Sequence, residues 1–278
     1  MMKRRLGVRS SCLATMGISD LCALTYIKNA GFDCFFADKY KLEDVAPLKE
    51  EADRLGLDFE FLHAKWNYTD AMGSRLFMNE FWKPGLSYLP LFDATVEALD
   101  TAAACGIPGI CQHVTSGWVA PPATDIGFER FDRLVEHAIK KGVKLTLENL
   151  RNYGLLAVLL ERYERVPEVG FCYDNGHEYC YTETVPFLDL WGKRTYFTHL
   201  HDNYGRDKED PMKDADYHLL PYDGTFDYGA MIEKMDRHGY CGALTLEVSQ
   251  HGKYKEMSPE DFLAMLYERT VRLSKGEK

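Results

Sequence analysis

Eight short apolar runs alternate with longer amphipathic segments, and this alternation constrains the fold more than any other feature of the chain. The runs lie at 5–10, 32–38, 57–64, 108–114, 143–149, 169–175, 194–202 and 242–248. Short apolar runs are typical of buried parallel strands, and the segments between them are long enough for crossover helices. Eight strand–helix units in 278 residues predict one α/β domain over 1–278, a closed (β/α)₈ barrel.

Glycine and proline signals support the helices between the strands. Glycines that are expected to end helices follow five amphipathic segments, namely Gly31, Gly56, Gly106, Gly142 and Gly239. Ser258 and Pro259 are a good start for the last helix. An open doubly wound sheet is the alternative, but no glycine-rich phosphate loop follows an early strand, which weakens it.

Three segments fit the pattern less well. The stretches 152–166 and 184–193 are less clearly helical than the others. The segment 68–92 is longer than an ordinary loop of such a barrel, and we expect it to form either a lid or part of a subunit contact. A homo-oligomer is therefore compatible with the sequence.

Composition limits the partners and the compartment. The chain has 33 basic and 43 acidic residues, a net charge of −10, which gives no electrostatic footprint for nucleic acid. It has no apolar run long enough to span a membrane, and its basic N-terminal stretch lacks the apolar segment of a signal peptide. The eight cysteines contain no C-x-x-C pair and read as reduced thiols. We therefore expect a cytoplasmic protein without membrane contact.

Potential metal ligands stand at the ends of six consecutive predicted strands. In chain order they are His63, His113, Glu148, Asp174, His199 with His201, and Glu247; His177, Asp216 and His218 follow in nearby loops. In a closed parallel barrel these strand ends converge on one axis, which is where such barrels place their chemistry. One such residue alone is more often a cap or a surface residue, but six together predict a shared site.

The chemistry of this set favours a metal ion. Glu148 and Glu247 follow the apolar runs "KLTL" and "ALTL", where a charge is costly to bury unless it is paired or coordinated. Converging carboxylates also repel one another, and a divalent cation removes that repulsion. Mixed histidine and carboxylate ligands suit zinc, manganese, cobalt or iron better than magnesium.

Seven pieces of the sequence carry a family resemblance. They are "FLHA", "QHV", "LTLENL", "YDNGH", "THLHDN", "DYHL" and "LTLEV", in this order. With them the chain resembles the xylose isomerase-like TIM barrel superfamily, which includes sugar phosphate isomerases and epimerases, inosose dehydratases and the AP endonuclease family 2 (endonuclease IV) group. The resemblance implies a metal held by Glu148, Asp174, a histidine of strand seven and Glu247. It also implies that the two glutamates are the acid/base pair and that His177 and Arg206 bind substrate oxygens.

The endonuclease IV group offers a rival interpretation, because its members bind more metals with a larger ligand set. In this chain His63, His113, His177, Asp216 and His218 would complete that set. Two departures count against it: the chain has "HLHD" where the nucleases have "HLND", and "PYDG" follows "DYHL" where a Gly-acid-Gly turn is usual.

We therefore expect a sugar isomerase or epimerase in which glutamates move a proton through a metal-stabilised enediolate. The substrate would be a ketose or related polyol, phosphorylated or free, or an inosose. Trp66 and Trp118 could present aromatic faces to the sugar, or could only pack the loops. A multi-zinc AP endonuclease and a non-catalytic metal-binding barrel are the alternatives.

The motif "HLHD" leaves open which of its histidines is the metal ligand. His199 and His201 are two residues apart, so both side chains would face the same side of a strand. Alignment with the "HLND" and "HLKD" forms of the superfamily favours His199, whereas the H-x-H form of ketose epimerases favours His201. We choose His199 and place His201 in the pocket wall.

Overall fold

The computed structural model describes residues 4–277 and contains all eight predicted barrel strands. The strands are β1 Leu6–Arg9, β2 Cys34–Ala37, β3 Asp58–His63, β4 Asn67–Thr69, β5 Arg75–Phe77, β6 Gly109–Gln112, β7 Lys144–Glu148, β8 Val169–Asp174, β9 Thr195–His199 and β10 Leu244–Leu246. Eight of them form one parallel sheet in the order β10-β1-β2-β3-β6-β7-β8-β9. The N–H of Leu200 donates to the carbonyl of Thr245 at 2.9 Å, which joins the two edge strands. The prediction of a (β/α)₈ TIM barrel is confirmed.

Helices cover the outside of this barrel, except for one short buried turn at the carboxyl end of β8. They are α1 Asp20–Ala30, α2 Leu42–Leu55, α3 Leu89–Cys105, α4 Asp125–Lys141, α5 Gly154–Arg162, α6 Asn175–His177, α7 Phe187–Trp191, α8 Tyr228–Arg237 and α9 Pro259–Ser274. The first four end at the predicted glycines, each in the left-handed conformation that closes a helix. The hydroxyl of Ser258 accepts the N–H of Asp261 at 3.1 Å and caps α9 as predicted. The two less regular segments contain α5 and α7.

The long segment after β3 has more structure than a loop. Its strands β4 and β5 pair as an antiparallel hairpin, followed by a short 3₁₀ helix at Met78–Trp82. The hydroxyl of Tyr68 donates to the carbonyl of Ser87 at 2.7 Å, which ties the hairpin to the start of α3. Alternating short strands of three residues give too weak a periodic signal to be recognised in the sequence. The role of segment 68–92 as a lid or as part of a subunit contact stays a prediction.

The interior of the barrel is filled by an aromatic layer. Phe36 and Phe61 stack with ring centroids 4.7 Å apart, and Phe61 stacks on Phe197 at 4.5 Å. The buried thiols of Cys111 and Cys172 complete this layer. This layer fills the barrel interior, so the polar side chains at the carboxyl ends of the strands lie above it as a separate layer.

Within residues 4–277, no single helix has both the length and the apolar character needed to cross a bilayer. A sharply bent pair, 10–16 with 20–30, meets the criteria of length and composition taken together.

Candidate metal centre

A cavity of about 740 Å³ opens at the carboxyl ends of the barrel strands. Its wall combines ionisable and aromatic side chains, among them Arg9, Asp38, His63, Trp66, His113, Glu148, Arg151, His177, Asp214, Asp216, His218 and Glu247. Most of the residues singled out in the sequence therefore meet in one place. A cavity with convergent polar groups at this end of a barrel is the expected position of an active site.

Four side chains form the central donor set. Glu148, Asp174 and His199 are the last residues of β7, β8 and β9, and Glu247 follows β10 directly. One ligand atom from each lies within 4.8 Å of the others. The Nδ1 atom of His199 is 2.9 Å from Oε1 of Glu148 and 3.6 Å from Oε2 of Glu247. The fold brings together the four residues that the resemblance implies as metal ligands.

Glu148 is shared with two further histidines. Its Oε2 lies 3.0 Å from Nε2 of His113 and 3.5 Å from Nε2 of His63. Glu148 is 1% exposed, so these contacts are shielded from water. The carboxylate therefore belongs to the central donor set and to a neighbouring group of two imidazoles.

Asp216 organises an outer donor set with His177 and His218. Its Oδ2 lies 3.1 Å from Nε2 of each imidazole. His177 reaches this position because Asp174 caps α6, accepting the N–H of His177 at 2.7 Å. The two sets are thus held by adjacent elements, and the structure offers donors for more than one cation.

Three of these histidines share a hydrogen-bond pattern that fits metal ligands. His63, His177 and His218 each donate Nδ1–H to a backbone carbonyl, those of Ala64, Asn149 and Glu247 respectively, at 2.8–2.9 Å. In a neutral imidazole this leaves a lone pair on Nε2, and in all three the Nε2 atom faces a carboxylate. Two acceptors face each other, so a proton or a cation must lie between them. Metal-bound histidines are usually held by such a second hydrogen bond.

The electrostatics of the site agree with this pattern. Burial raises the pKa of Glu247, but His199, His218 and Arg9 outweigh burial and lower it to about 2. Burial lowers the pKa of His218, whereas Asp216 raises it to about 9. Likewise, burial opposes ionisation of Glu148, but His199 and His113 hold its pKa well below the usual range. Without a metal, protons on those histidines whose pKa is raised, such as His218, neutralise the carboxylates, and a metal would replace these protons.

Two charged pairs in the wall were missed by the sequence interpretation. Arg9, the last residue of β1, pairs with Asp38, which follows β2, and its Nη1 lies 3.9 Å from Oε1 of Glu247. Arg151 follows β7 and lies 2.8 Å from Asp214. The signal was present in the sequence, since Arg9 and Asp38 also stand at the ends of strands.

The predicted substrate-binding side chains are divided between the wall and its surroundings. Trp66 lines the cavity and stacks on His113 with ring centroids 5.0 Å apart. Trp118 and Arg206 lie beside the cavity, where the guanidinium carbon is 5.5 Å from the indole centroid. The Nε–H of Arg206 donates to the carbonyl of Pro211 at 3.1 Å. Contact of either residue with a substrate stays a prediction, and Arg151 is nearer to the cavity than Arg206.

His201 is not part of the pocket wall where the sequence interpretation placed it. It lies past the end of β9, is 0% exposed, and its Nε2 atom is 3.2 Å from Oδ1 of Asp174. His199, by contrast, faces Glu148 and Glu247. The two histidines of the motif therefore contact different carboxylates.

The family model described as xylose isomerase-like TIM barrel matches residues 24–266. The chain belongs to this family. It is 33% identical over 163 residues to the uncharacterized protein y4fM of Sinorhizobium fredii, a match covering 54% of this chain and 50% of that protein. The chain thus spans about half the length of this curated relative.

Solved structures of xylose isomerase-like barrels have the same fold. A xylose isomerase domain protein from Planctomyces limnophilus gives a TM-score of 0.73 at 17% identity, covering 98% of this chain and 97% of that one. D-allulose 3-epimerase from Methylomonas sp. in complex with D-allulose gives a TM-score of 0.71 at 15% identity, and the match covers 100% of this chain and 99% of that one. At such identities the likeness establishes the fold alone.

Proposed function

We propose that this family member is a divalent-metal-dependent isomerase or epimerase of a ketose or related polyol, such as an inosose. The observation that carries the proposal is the pair of carboxylates Glu148 and Glu247. Both line the cavity, and both approach His199 Nδ1 within 3.6 Å. Two carboxylates at one cavity floor suit a reaction that removes a proton and returns it.

Glu148, Asp174, His199 and Glu247 would hold the metal, with zinc, manganese, cobalt or iron favoured by these donors. When bound, a divalent cation supplies Lewis-acid stabilisation of negative charge that develops on substrate oxygens. Their burial and the carboxylates among them fit a cation of this kind.

The proton transfers are assigned to the two glutamates. One takes a proton from the carbon next to the substrate carbonyl, giving an enediolate, and the other returns a proton. Return to the opposite face of the same carbon inverts it, and return to the adjacent carbon isomerises the sugar. The low pKa of both side chains keeps them ionised at neutral pH, and the one that takes the proton must keep a carboxylate oxygen free of the metal.

The paired arginines of the wall favour an uncharged substrate, although Lys65 also lines the cavity. Arg9 is paired with Asp38, and Arg151 with Asp214, so each guanidinium already has an anionic partner. Trp66 offers an apolar face beside these polar groups, as sugar rings require. The solved complex of the Methylomonas epimerase with D-allulose shows that a protein of this fold binds a free ketose.

Incubation of the metal-loaded protein with a panel of ketoses and inososes in D₂O tests the proposal. The expected result is a rearranged sugar that has gained deuterium at carbon. Glu148→Gln and Glu247→Gln should abolish the rearrangement and the deuterium incorporation while retaining the fold. Glu60→Gln, at the other end of the barrel, should leave the rearrangement and the deuterium incorporation unchanged. An active Glu247→Gln variant would end the proposal.

A multi-zinc AP endonuclease is the second candidate, favoured by the outer donor set of Asp216, His177 and His218. Metal counting alone does not separate the candidates, because the donors suit more than one ion in either case. Cleavage of a duplex with one abasic site decides between them. The net charge of −10 and the paired arginines weigh against binding of a phosphate backbone. A non-catalytic metal-binding barrel would be favoured only if a broad panel of ketoses and inososes showed neither turnover nor binding.

A further inference from the structure

His201 lies between the two donor sets and contacts a carboxylate of each. Its Nε2 atom is 3.2 Å from Oδ1 and 3.3 Å from Oδ2 of Asp174, and 3.7 Å from Oδ1 of Asp216. The side chain is completely buried and its ring stacks on His218 with centroids 4.1 Å apart. A fully buried imidazole in this position either ligates a metal or orients the carboxylates that do.

The orientation of Asn203 decides between these roles. The backbone N–H of Tyr217 donates to Oδ1 of Asn203 at 2.7 Å, which fixes the amide. Its NH₂ group therefore faces both Nδ1 of His201 and Oδ1 of Asp216, at 3.5 Å each. Because an NH₂ group only donates, Nδ1 of His201 is the acceptor and the ring proton is on Nε2.

This arrangement is the reverse of that in the three histidines with metal-ligand geometry. His63, His177 and His218 donate Nδ1–H to a carbonyl, so in their neutral form the Nε2 lone pair faces a carboxylate. His201 directs Nε2–H at Asp174 instead, so donor meets acceptor and no cation is needed between them.

The backbone leaves room for the ring only because Gly176 follows β8. A Cβ atom at this position would overlap the imidazole of His201. The amide of Asn175 adds two hydrogen bonds to the backbone of His201, at 2.9 Å each. The local structure thus holds the imidazole in one orientation.

We propose that His201 is a positioning residue rather than a metal ligand. It donates Nε2–H to Asp174 and keeps this carboxylate turned toward the central donor set, while its proximity to Asp216 links the two sets. The inference rests on the proposed metal site, whose outer hydrogen-bond partners commonly contribute 10–100-fold to metal affinity.

Nitrogen NMR of the ¹⁵N-histidine-labelled, zinc-loaded protein tests the tautomer directly, with His201→Gln to assign the signal. We expect a directly bonded proton on Nε2 of His201 and none on Nδ1. An unprotonated Nε2 would overturn the proposal, whatever the enzymatic activity, so its failure is distinct from failure of the proposed function.

Zinc affinity, measured by chelator competition, tests the role. His201→Leu should weaken zinc binding by about 10–100-fold, whereas His201→Gln, whose side-chain amide can donate to Asp174, should retain most of it. Wild-type affinity in His201→Leu, or equal losses in both variants, would show a packing role and overturn the proposal. The NMR measurement on the wild-type protein remains decisive if His201→Leu does not fold.

Discussion

The two ends of the barrel both bury carboxylates, but they neutralise them differently. At the amino ends of the strands, Arg5 donates to both oxygens of Glu60, at 2.5 and 3.1 Å, and to Asp58 at 2.6 Å. At the carboxyl ends, the buried carboxylates face imidazoles, whereas Arg9 pairs with the more exposed Asp38 and lies 3.9 Å from Glu247. A guanidinium is a permanent partner, whereas an imidazole can exchange its proton for a metal ion. We therefore expect the amino end to contribute stability and the carboxyl end to bind a cation.

The aromatic layer of Phe36, Phe61 and Phe197 lies between these ends. It also contacts the candidate metal centre, because the ring centroid of His199 lies 4.8 Å from that of Phe36 and 5.4 Å from that of Phe61. The layer therefore supports the central donor set from below. The comparison predicts that substitutions on the carboxyl-end side of the layer affect metal binding, and that substitutions on the amino-end side affect only stability.

Removal of the metal should have the largest effect. Dialysis against a chelator should abolish turnover, because the donors then hold protons instead of a cation. An ion present at a thousand times its Kd contributes about 4 kcal/mol, so the unfolding free energy should fall by roughly this amount. Turnover and the lost unfolding free energy should both return when zinc, manganese, cobalt or iron(II) is added.

Turnover and urea unfolding, followed before and after metal removal, check this prediction. Glu60→Gln serves as the control, since it should lose and regain activity as the wild type does. Unchanged turnover after dialysis against the chelator would contradict the proposal that the carboxyl end of the barrel binds a cation needed for activity.

The sequence predicted the barrel and its polar floor because both follow from strand periodicity. His63, Glu148 and Asp174 are the last residues of their strands, so a strand assignment also places their side chains. The partners of these residues were less predictable. The Arg9–Asp38 pair depends on the neighbouring positions of β1 and β2 in the sheet, and the separation of His199 from His201 depends on where β9 ends.

Loss of the aromatic support should have the next largest effect. Phe61→Ala should lower the unfolding free energy by about 3 kcal/mol, the low end for a buried phenylalanine, because neighbouring rings can partly fill the space. It should also weaken metal binding, since His199 loses a contact. Phe59→Ala is the matched control, because Phe59 lies on the same strand but packs against Phe35 at 4.2 Å.

Urea unfolding and chelator competition on both variants measure these effects. Phe59→Ala should lose similar stability yet bind metal normally. Equal metal affinity in the two variants would show that the layer does not support the metal centre.

The ion pair at the amino end should give a smaller effect, confined to stability. Arg5→Leu leaves the buried Glu60 without its partner, which costs 3–5 kcal/mol in a fully buried pair. The side chain of Arg5 is 45% exposed, so water screens the interaction and about 2 kcal/mol is expected. Urea unfolding measures the loss, and the double variant Arg5→Leu/Glu60→Leu should recover part of it. Altered metal content in Arg5→Leu would contradict the independence of the two ends.

The smallest effect is the pH dependence of Glu60 itself. Burial raises the pKa of Glu60, and Arg5 offsets this only in part. Above its ordinary pKa of about 4.3, the unfolded chain has lost a proton that the folded protein keeps. The contribution of Glu60 to the unfolding free energy is therefore full below that pH and falls as pH rises through the folded pKa, by less than about 1.4 kcal/mol per pH unit. Glu60→Gln lacks this slope, so the wild-type advantage over the variant in urea unfolding should shrink between pH 4 and 7. A difference that grows with pH would mean that Arg5 outweighs burial, and that the amino end is stabilised by its ion pair rather than merely neutralised by it.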